Sequence, residues 1–361
     1  MSTIRHDLLP AALAILIAGA AAFSFSACST SHGPDPAPTA HAEPDTQQDG
    51  AVRLDSGASP RPTEEMIEAS KHDPPGGRRR RPRVPAEFRE MTVPVEKGAV
   101  LRVRAFGAPV RVTGADRPDI FLRAELGATT RERLADTRID ARPSGAELII
   151  EPVWPDDRAR GEFAWFEIEA PTHVGGVIIE ADTGPVELLS VHGRAEVHAA
   201  RGEVRVTDQA GPVLVSTTNG AVIIERPAGD VDATTAHATI RVLDAPASVR
   251  ARTTSGALVV TLTDSSRGPL DLTATDGEAD VTVGESFDGT ITLTSPGVEP
   301  VIFPGQGFKP TITPDWAPFP RVHRTRFGEA EVVFSDAIRT SNVRTTGATV
   351  TLRQRVGKTR N

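Results

Sequence analysis

The sequence predicts an all-β chain whose middle is a β-solenoid, a β-helix-like stack of 18-residue coils, each made of two nine-residue halves. Three observations predict it. Glycine or alanine recurs every nine residues at Gly184, Gly193, Gly202, Gly211, Gly220, Gly229, Ala238, Ala247 and Gly256. Two and four residues after each sits an apolar side chain, in pairs that run from Val186/Leu188 through Val222/Ile224 to Leu258/Val260. A longer period is superposed, because Thr217-Thr218-Asn219-Gly220 and Thr253-Thr254-Ser255-Gly256 stand two 18-residue units apart. Such a repeat fixes architecture before any single residue is interpreted, and it points to an extended surface.

The apolar residues alternate with mostly polar ones, including Glu187, Arg205, Asp232, Arg241 and Arg250. A period of two means a strand with one buried and one wet face. Each half-coil reads as a strand of about five residues and a turn of four, with glycine supplying positive φ in the turn. One coil cannot bury its own apolar face, so stacked neighbours complete the core. An antiparallel meander of five-residue strands gives the same alternation and is the alternative. The charges favour stacking: an 18-residue coil sets Glu187 beside Arg205 and Asp232 beside Arg250, favourable cross-strand pairs. After a three-residue insertion near Asp264-Ser265-Ser266, the rhythm resumes at Gly268, Gly277 and Gly289.

The segments fall in order. Residues 1–27 read as a lipoprotein-type signal peptide, with Arg5 ahead of an uncharged run at 11–23 that is too short for a spanning helix. It ends in Phe25-Ser26-Ala27-Cys28. Cys28 is the only cysteine, so an internal disulfide is excluded. Its setting resembles a bacterial lipobox, apart from Phe25 where leucine is usual. That resemblance implies diacylglyceryl attachment at Cys28, and Ser29 implies outer-membrane sorting in a Gram-negative cell. Residues 28–90 read as a Pro/Arg-rich disordered tether, since ten prolines fall between 29 and 90. Within it Arg78, Arg79, Arg80, Arg81 and Arg83 form a candidate polyanion contact or a solvated, stiffening run. Nucleic acid is excluded as a partner, because the chain is exported and its net charge is −8.

Residues 91–183 read as a β-rich entry and capping region, followed by the solenoid at 184–297. The cap and last strand occupy 298–361, which hold five of the thirteen phenylalanines. A hydrophobic cap or an aromatic ligand platform would account for them, and 344–352 reads as a last strand.

Ile168-Glu169-Ala170-Pro171, followed by Asp182-Thr183-Gly184-Pro185-Val186, Thr218-Asn219-Gly220-Ala221-Val222 and Thr254-Ser255-Gly256-Ala257-Leu258, resembles a bacterial domain family of unknown function labelled putative adhesin. The resemblance covers roughly 91–300. It implies a β-repeat fold and brings no catalytic residues.

Catalytic and metal chemistry have little to stand on. Asp230, Asp232, Asp271, Asp276 and Asp280 have ordinary roles as strand and turn residues, and acid–base work needs a cleft between paired carboxylates. The double glycine and repeated aspartate of calcium-binding coils are missing. His173, His192, His198, His237 and His323 are scattered and have no cysteine partners for zinc. No cofactor is expected. Ile223 and Val259 occupy otherwise polar positions and, with Ala221 and Ala257, form a candidate apolar contact patch. The expectation is a non-catalytic, lipid-anchored envelope protein that meets a polysaccharide or an envelope protein. The alternatives are a polysaccharide-active β-helix enzyme and a structural or stress-linked envelope component.

Overall fold

The computed structural model describes residues 84–303, 320–335 and 338–355, all within one compact unit spanning Arg78–Asn361. Cys28 and the arginine run lie outside the described residues. The strands in chain order are β1 (Ala86–Pro94), β2 (Val100–Ala105), β3 (Val110–Ala115), β4 (Asp119–Gly127), β5 (Arg138–Ser144), β6 (Glu147–Val153), β7 (Phe163–Pro171), β8 (Gly176–Thr183), β9 (Val186–Leu189), β10 (Arg194–Arg201), β11 (Val204–Thr207), β12 (Val213–Asn219) and β13 (Val222–Glu225). They continue as β14 (Val231–Thr235), β15 (Ile240–Ala245), β16 (Val249–Thr253), β17 (Leu258–Leu262), β18 (Leu270–Ala274), β19 (Ala279–Val283), β20 (Thr290–Thr294), β21 (Val301–Phe303), β22 (Arg321–Arg326), β23 (Glu329–Val333), β24 (Thr340–Thr345) and β25 (Val350–Gln354). One short helix, α1 (Arg131–Asp136), follows β4.

The middle is a parallel solenoid. Each coil gives one strand to each of two sheets, and its neighbours lie 18 residues away: Val204 pairs Val186 on one side and Val222 on the other. A meander would pair strands nine residues apart in antiparallel fashion, so that alternative is excluded. The pairing steps to 21 residues across the insertion, where Val249 meets Leu270 and Leu258 meets Ala279. Inward residues such as Val215, Ile224, Ala233 and Val260 are fully buried in one continuous core between the sheets.

The two half-coils are not equivalent, contrary to the uniform five-plus-four reading. From β10 the chain turns through Gly202-Glu203 alone into β11, and from β11 it takes Asp208–Pro212 to reach β12. The nine-residue glycine period therefore runs down two different columns. In the short corners Gly184, Gly202 and Gly256 have positive φ, whereas Gly211 and Gly229 in the long turns are not among the positive-φ residues. Both columns share one reason for glycine. A Cβ on Gly202 or Gly220 would fall closer than 3.0 Å to the backbone of Gly184 or Gly202 one coil below, and on Gly211 or Gly229 to that of Gly193 or Gly211. Corner backbones stacked at the strand spacing of about 4.8 Å leave no room for a Cβ at these glycines, while Ala238 and Ala247 show that the same columns can take a methyl group elsewhere.

Left-handed backbone appears instead at non-glycine residues that open the long turns. Ser190, Asp208, Arg226 and Asp244 have φ of 54°, 54°, 50° and 56°. They recur at 18-residue intervals and stack in a third column. Threonines form a fourth: Thr217, Thr235 and Thr253 are buried at the ends of sheet strands. Thr235 Oγ1 donates to the Gly220 carbonyl at 3.3 Å and Thr253 Oγ1 to the Ala238 carbonyl at 3.1 Å. Thr235 and Thr253 thus each tie their coil to the one below, whereas the buried Thr217 hydroxyl makes no such bond.

Both ends depart from sequential order. Coil β2/β3 lies between β6/β7 and β8/β9, and coil β24/β25 lies between β18/β19 and β20/β21. The segment around 344–352, expected as one last strand, is instead the corner joining β24 to β25, and this coil fills an interior slot. Antiparallel strands then close the stack: β1 and β4 beyond β7, β5 beyond β6, and β22 and β23 beyond β20. Caps of this kind cover edges that would otherwise template further pairing.

If backbone proximity rather than φ dictates the corner glycines, Gly211→Ala should cost about 3 kcal/mol, as overpacking does. Gly145→Ala, at φ +62° with open space around it, should cost only about 1 kcal/mol. Denaturant unfolding of the two variants checks the order, and equal losses would contradict the stacking explanation.

Candidate functional site

The outer face of the β8–β24 side carries a shallow groove of about 770 Å³ that crosses successive coils. One residue from each strand lines its floor: Leu214 on β12, Asp232 on β14, Arg250 on β16, Asp271 on β18 and Asn342 on β24. Strict register puts them in one row. Arg250 reaches Asp232 at 3.5 Å and Asp271 at 3.3 Å, and Arg252 holds Asp271 at 2.7 Å. Asp230 on the rim accepts from Ser248 Oγ at 2.6 Å. Asp230, Asp232 and Asp271 are therefore bridged by arginine or serine, and Asp280 is paired with Arg353. The Asp232–Arg250 pairing occurs as the coil period predicts. Glu187, by contrast, faces Arg205 in register but makes its ion pair with Arg111 on the other side, at 2.7 Å.

Ile223 and Val259 share one outward row on the opposite sheet. They are two coils apart, with exposed Arg241 paired between them. Ala221 and Ala257 are likewise separated by Thr239. The four are partly exposed but do not form a continuous apolar patch.

Histidines are surface groups where described. His198 lies 2.8 Å from Glu196, and His237 Nδ1 lies 2.9 Å from Ser255 Oγ. Among the described residues no group of three or more His, Cys, Asp or Glu is arranged to hold a metal. Of the C-terminal aromatics, Phe334 is buried edge-to-face on Phe287 with centroids 5.3 Å apart, while Phe303 and Phe327 are exposed. Phe308, Trp316 and Phe319 lie outside the described residues.

The N-terminal cap holds the densest electrostatics. Arg102 joins Glu147 at 2.9 Å and also meets Glu180. Arg104 links Glu180 at 3.1 Å and Glu151 at 3.0 Å, and Arg142 adds a second hold on Glu151 at 2.6 Å. These contacts lower the Glu147 carboxyl, mainly through Arg102. Glu151 is also lowered, although burial, its largest single influence, opposes the Arg142 and Arg104 hydrogen bonds. Glu162 is the one fully buried carboxylate side chain in these pairs. It accepts from Arg133 on α1 at 2.7 and 3.1 Å and from the Ala159 backbone N–H at 2.8 Å. The Arg133 hydrogen bond overcomes desolvation and takes its pKa from 4.5 down to about 2. Nothing in the repeat signals this lock, because both residues fall where the period is lost. Carboxylates that shift clearly all shift downward, the direction that favours a fixed charge over a proton donor.

No family model matches the chain, and no curated relative matches its sequence. Solved structures do. A putative cell adhesion protein from Clostridium sporogenes matches with 10% identity and a TM-score of 0.25, covering 74% of this chain and all of its own. A putative adhesin from Bacteroides fragilis matches with 12% identity and a TM-score of 0.32, covering 74% of this chain and 97% of its own. A putative adhesin from Parabacteroides merdae matches with 7% identity and a TM-score of 0.33, covering 74% of this chain and 96% of its own.

Because the folded pKa of Glu162 is depressed, its contribution is present above pH 4.5 and is lost as pH falls toward about 2. Glu162→Gln should lower stability at pH 7 by about 2 kcal/mol, the scale of a lost charged hydrogen bond. The gap between variant and parent should close between pH 4.5 and 2. Chemical unfolding across that range measures it, and a gap constant with pH would contradict the assignment.

Proposed function

We propose that this chain is an exported, lipid-anchored cell-envelope protein that presents an adhesin-like β-repeat surface for binding or structural contact, without catalysing a reaction. Cys28 is the lipid attachment, the membrane is the first partner, and the proline-rich stretch holds the solenoid away from it. In a Gram-negative cell the anchor sits in the outer membrane. The observation that carries this reading is the groove across β12 to β24. It repeats one strand position at every coil, so polar groups stand in a row about 4.8 Å apart. A rigid periodic row suits an extended envelope polysaccharide or the flat face of an envelope protein. The arginine bridges over Asp232 and Asp271 support contact over proton transfer. The arginine run at 78–83 supplies a second, electrostatic contact to anionic envelope polymers or lipid phosphates.

The test is retention of a panel of envelope and extracellular polysaccharides by the full chain, with release of new reducing ends followed in parallel. Binding without release is expected. Asp232→Asn combined with Asp271→Asn should reduce retention severalfold, while the melting temperature barely moves because exposed pairs contribute about 0–1 kcal/mol. Release of reducing ends overturns the non-catalytic reading, and failure to retain any member of the panel removes its polysaccharide arm.

A further inference from the structure

The repeat contains no aromatic residue between 184 and 286. Rings gather at the N-terminal end of the other sheet, on the outer faces of β1, β4 and β7. Register sets Phe88 opposite Glu125 and Glu125 opposite Trp165. The Phe88 and Trp165 rings meet edge to face with centroids 6.4 Å apart. One position along, Phe163 lies opposite Gly127, where a Cβ would fall closer than 3.0 Å to three of its ring atoms. Glycine thus lets that ring lie flat on the sheet. Pro109 closes the far side, and the open pocket so formed measures about 540 Å³, inside the roughly 300–1,000 Å³ typical of ligand pockets.

Two polar side chains stand in it. Arg123 lies over the Phe88 ring at 5.0 Å and is neutralised by Glu90 at 3.7 Å. Glu125 stands on the strand between those of Phe88 and Trp165, opposite both in register. Its carboxylate has no hydrogen-bond or ion-pair partner among the described residues. Its oxygens are therefore open to a ligand in the pocket.

We infer that this pocket is a subsite for a neutral glycan, an assignment that rests on the contact function proposed above and gives it a location away from the groove. Pyranose rings present apolar C–H faces to Phe163 and Trp165, and aromatic faces favour such C–H edges; Phe88, covered by Arg123, holds Trp165 in place edge to face. Adjacent hydroxyls donate to the two oxygens of Glu125, which accepts only. The Arg123 guanidinium donates to a ring or glycosidic oxygen. A polyanion is disfavoured because Glu125 is unpaired and Arg123 is already compensated. A cation is disfavoured because Arg123 occupies the Phe88 face.

The test is titration of the full chain with chitohexaose and cellohexaose at low and high salt, followed by calorimetry and tryptophan fluorescence. Saturable binding that is insensitive to salt is expected. Trp165→Ala and Phe88→Ala should each weaken it about tenfold or more. Glu125→Gln, a surface change compatible with folding, should weaken it severalfold. Phe327→Ala, which removes an exposed ring at the other end, should leave it unchanged. Binding that survives Trp165→Ala and Glu125→Gln overturns the subsite while leaving the contact function standing. So does no saccharide binding alongside capture of a proline-rich peptide or tetramethylammonium. Cleavage of either hexasaccharide would strike at the non-catalytic function.

Discussion

Everything in this fold depends on how closely one coil corner can sit on the next. Adjacent strands need a spacing of about 4.8 Å to hydrogen-bond, and the corner backbones must follow at the same rise. At Gly202, Gly211, Gly220 and Gly229 the carbonyl-bearing backbone of the coil below occupies the space a Cβ would take. The glycine columns are thus a packing requirement imposed by the sheets they connect. Once the corners can close, parallel register follows, and the inward Val, Leu and Ile of each coil meet those of its neighbours in one continuous core. Corners that could not close would pull both flanking strands out of register and expose apolar rows on either side.

Strict register has a second consequence outside the core. Every outward position becomes a row, and like charges one coil apart would repel along its whole length. The chain answers with alternation: Arg111 with Glu187, Asp232 with Arg250 and Asp271, and Asp208 with Arg226 through contacts of 2.6 and 3.0 Å. The last pair stands on left-handed residues, a conformation costly for any side chain but glycine. The cross-coil bonds from Asp208 N to Glu225 O and from Arg226 N to Leu243 O, 3.0 and 2.9 Å, hold that geometry. Individually such exposed pairs contribute little. Their larger effect is to penalise a slip of one coil, which would bring like charges together.

The repeating part of the fold was legible in the sequence because one physical constraint acts at every coil and leaves the same mark each time. Gly211 and Val213 mean the same as Gly193 and Ala195. What was not legible falls where that mark is absent or misleading. The left-handed column at Ser190, Asp208, Arg226 and Asp244 was overlooked because glycine was expected wherever φ turns positive, although Ser190, Asp208 and Asp244 are turn-forming types at fixed spacing. The interior position of β24/β25 was hidden because its pairing spans 71 residues, from Ala279 to Val350, and no local pattern encodes a return over that distance. Matching phase alone suggests a common patch for Ile223 and Val259, but the intervening coil places Arg241 between them. Glu162 and Arg133 lie outside the period altogether.

The same constraint explains where recognition chemistry collects. Within the stack an outward side chain has neighbours above and below at the strand spacing, so a ring needs another ring or a small residue beside it. The repeat avoids the problem by carrying no aromatic residue from 184 to 286. At the N-terminal end, the antiparallel strands β1 and β4 break the parallel rows, and Gly127 opens a place for Phe163. Here large rings can spread across three strands without stacking against copies of themselves. Glu125 has Phe88 and Trp165, not arginines, as its neighbours on the two flanking strands. Periodicity thus confers stability and compensated charge on the middle, and the loss of periodicity lets large rings gather at the end.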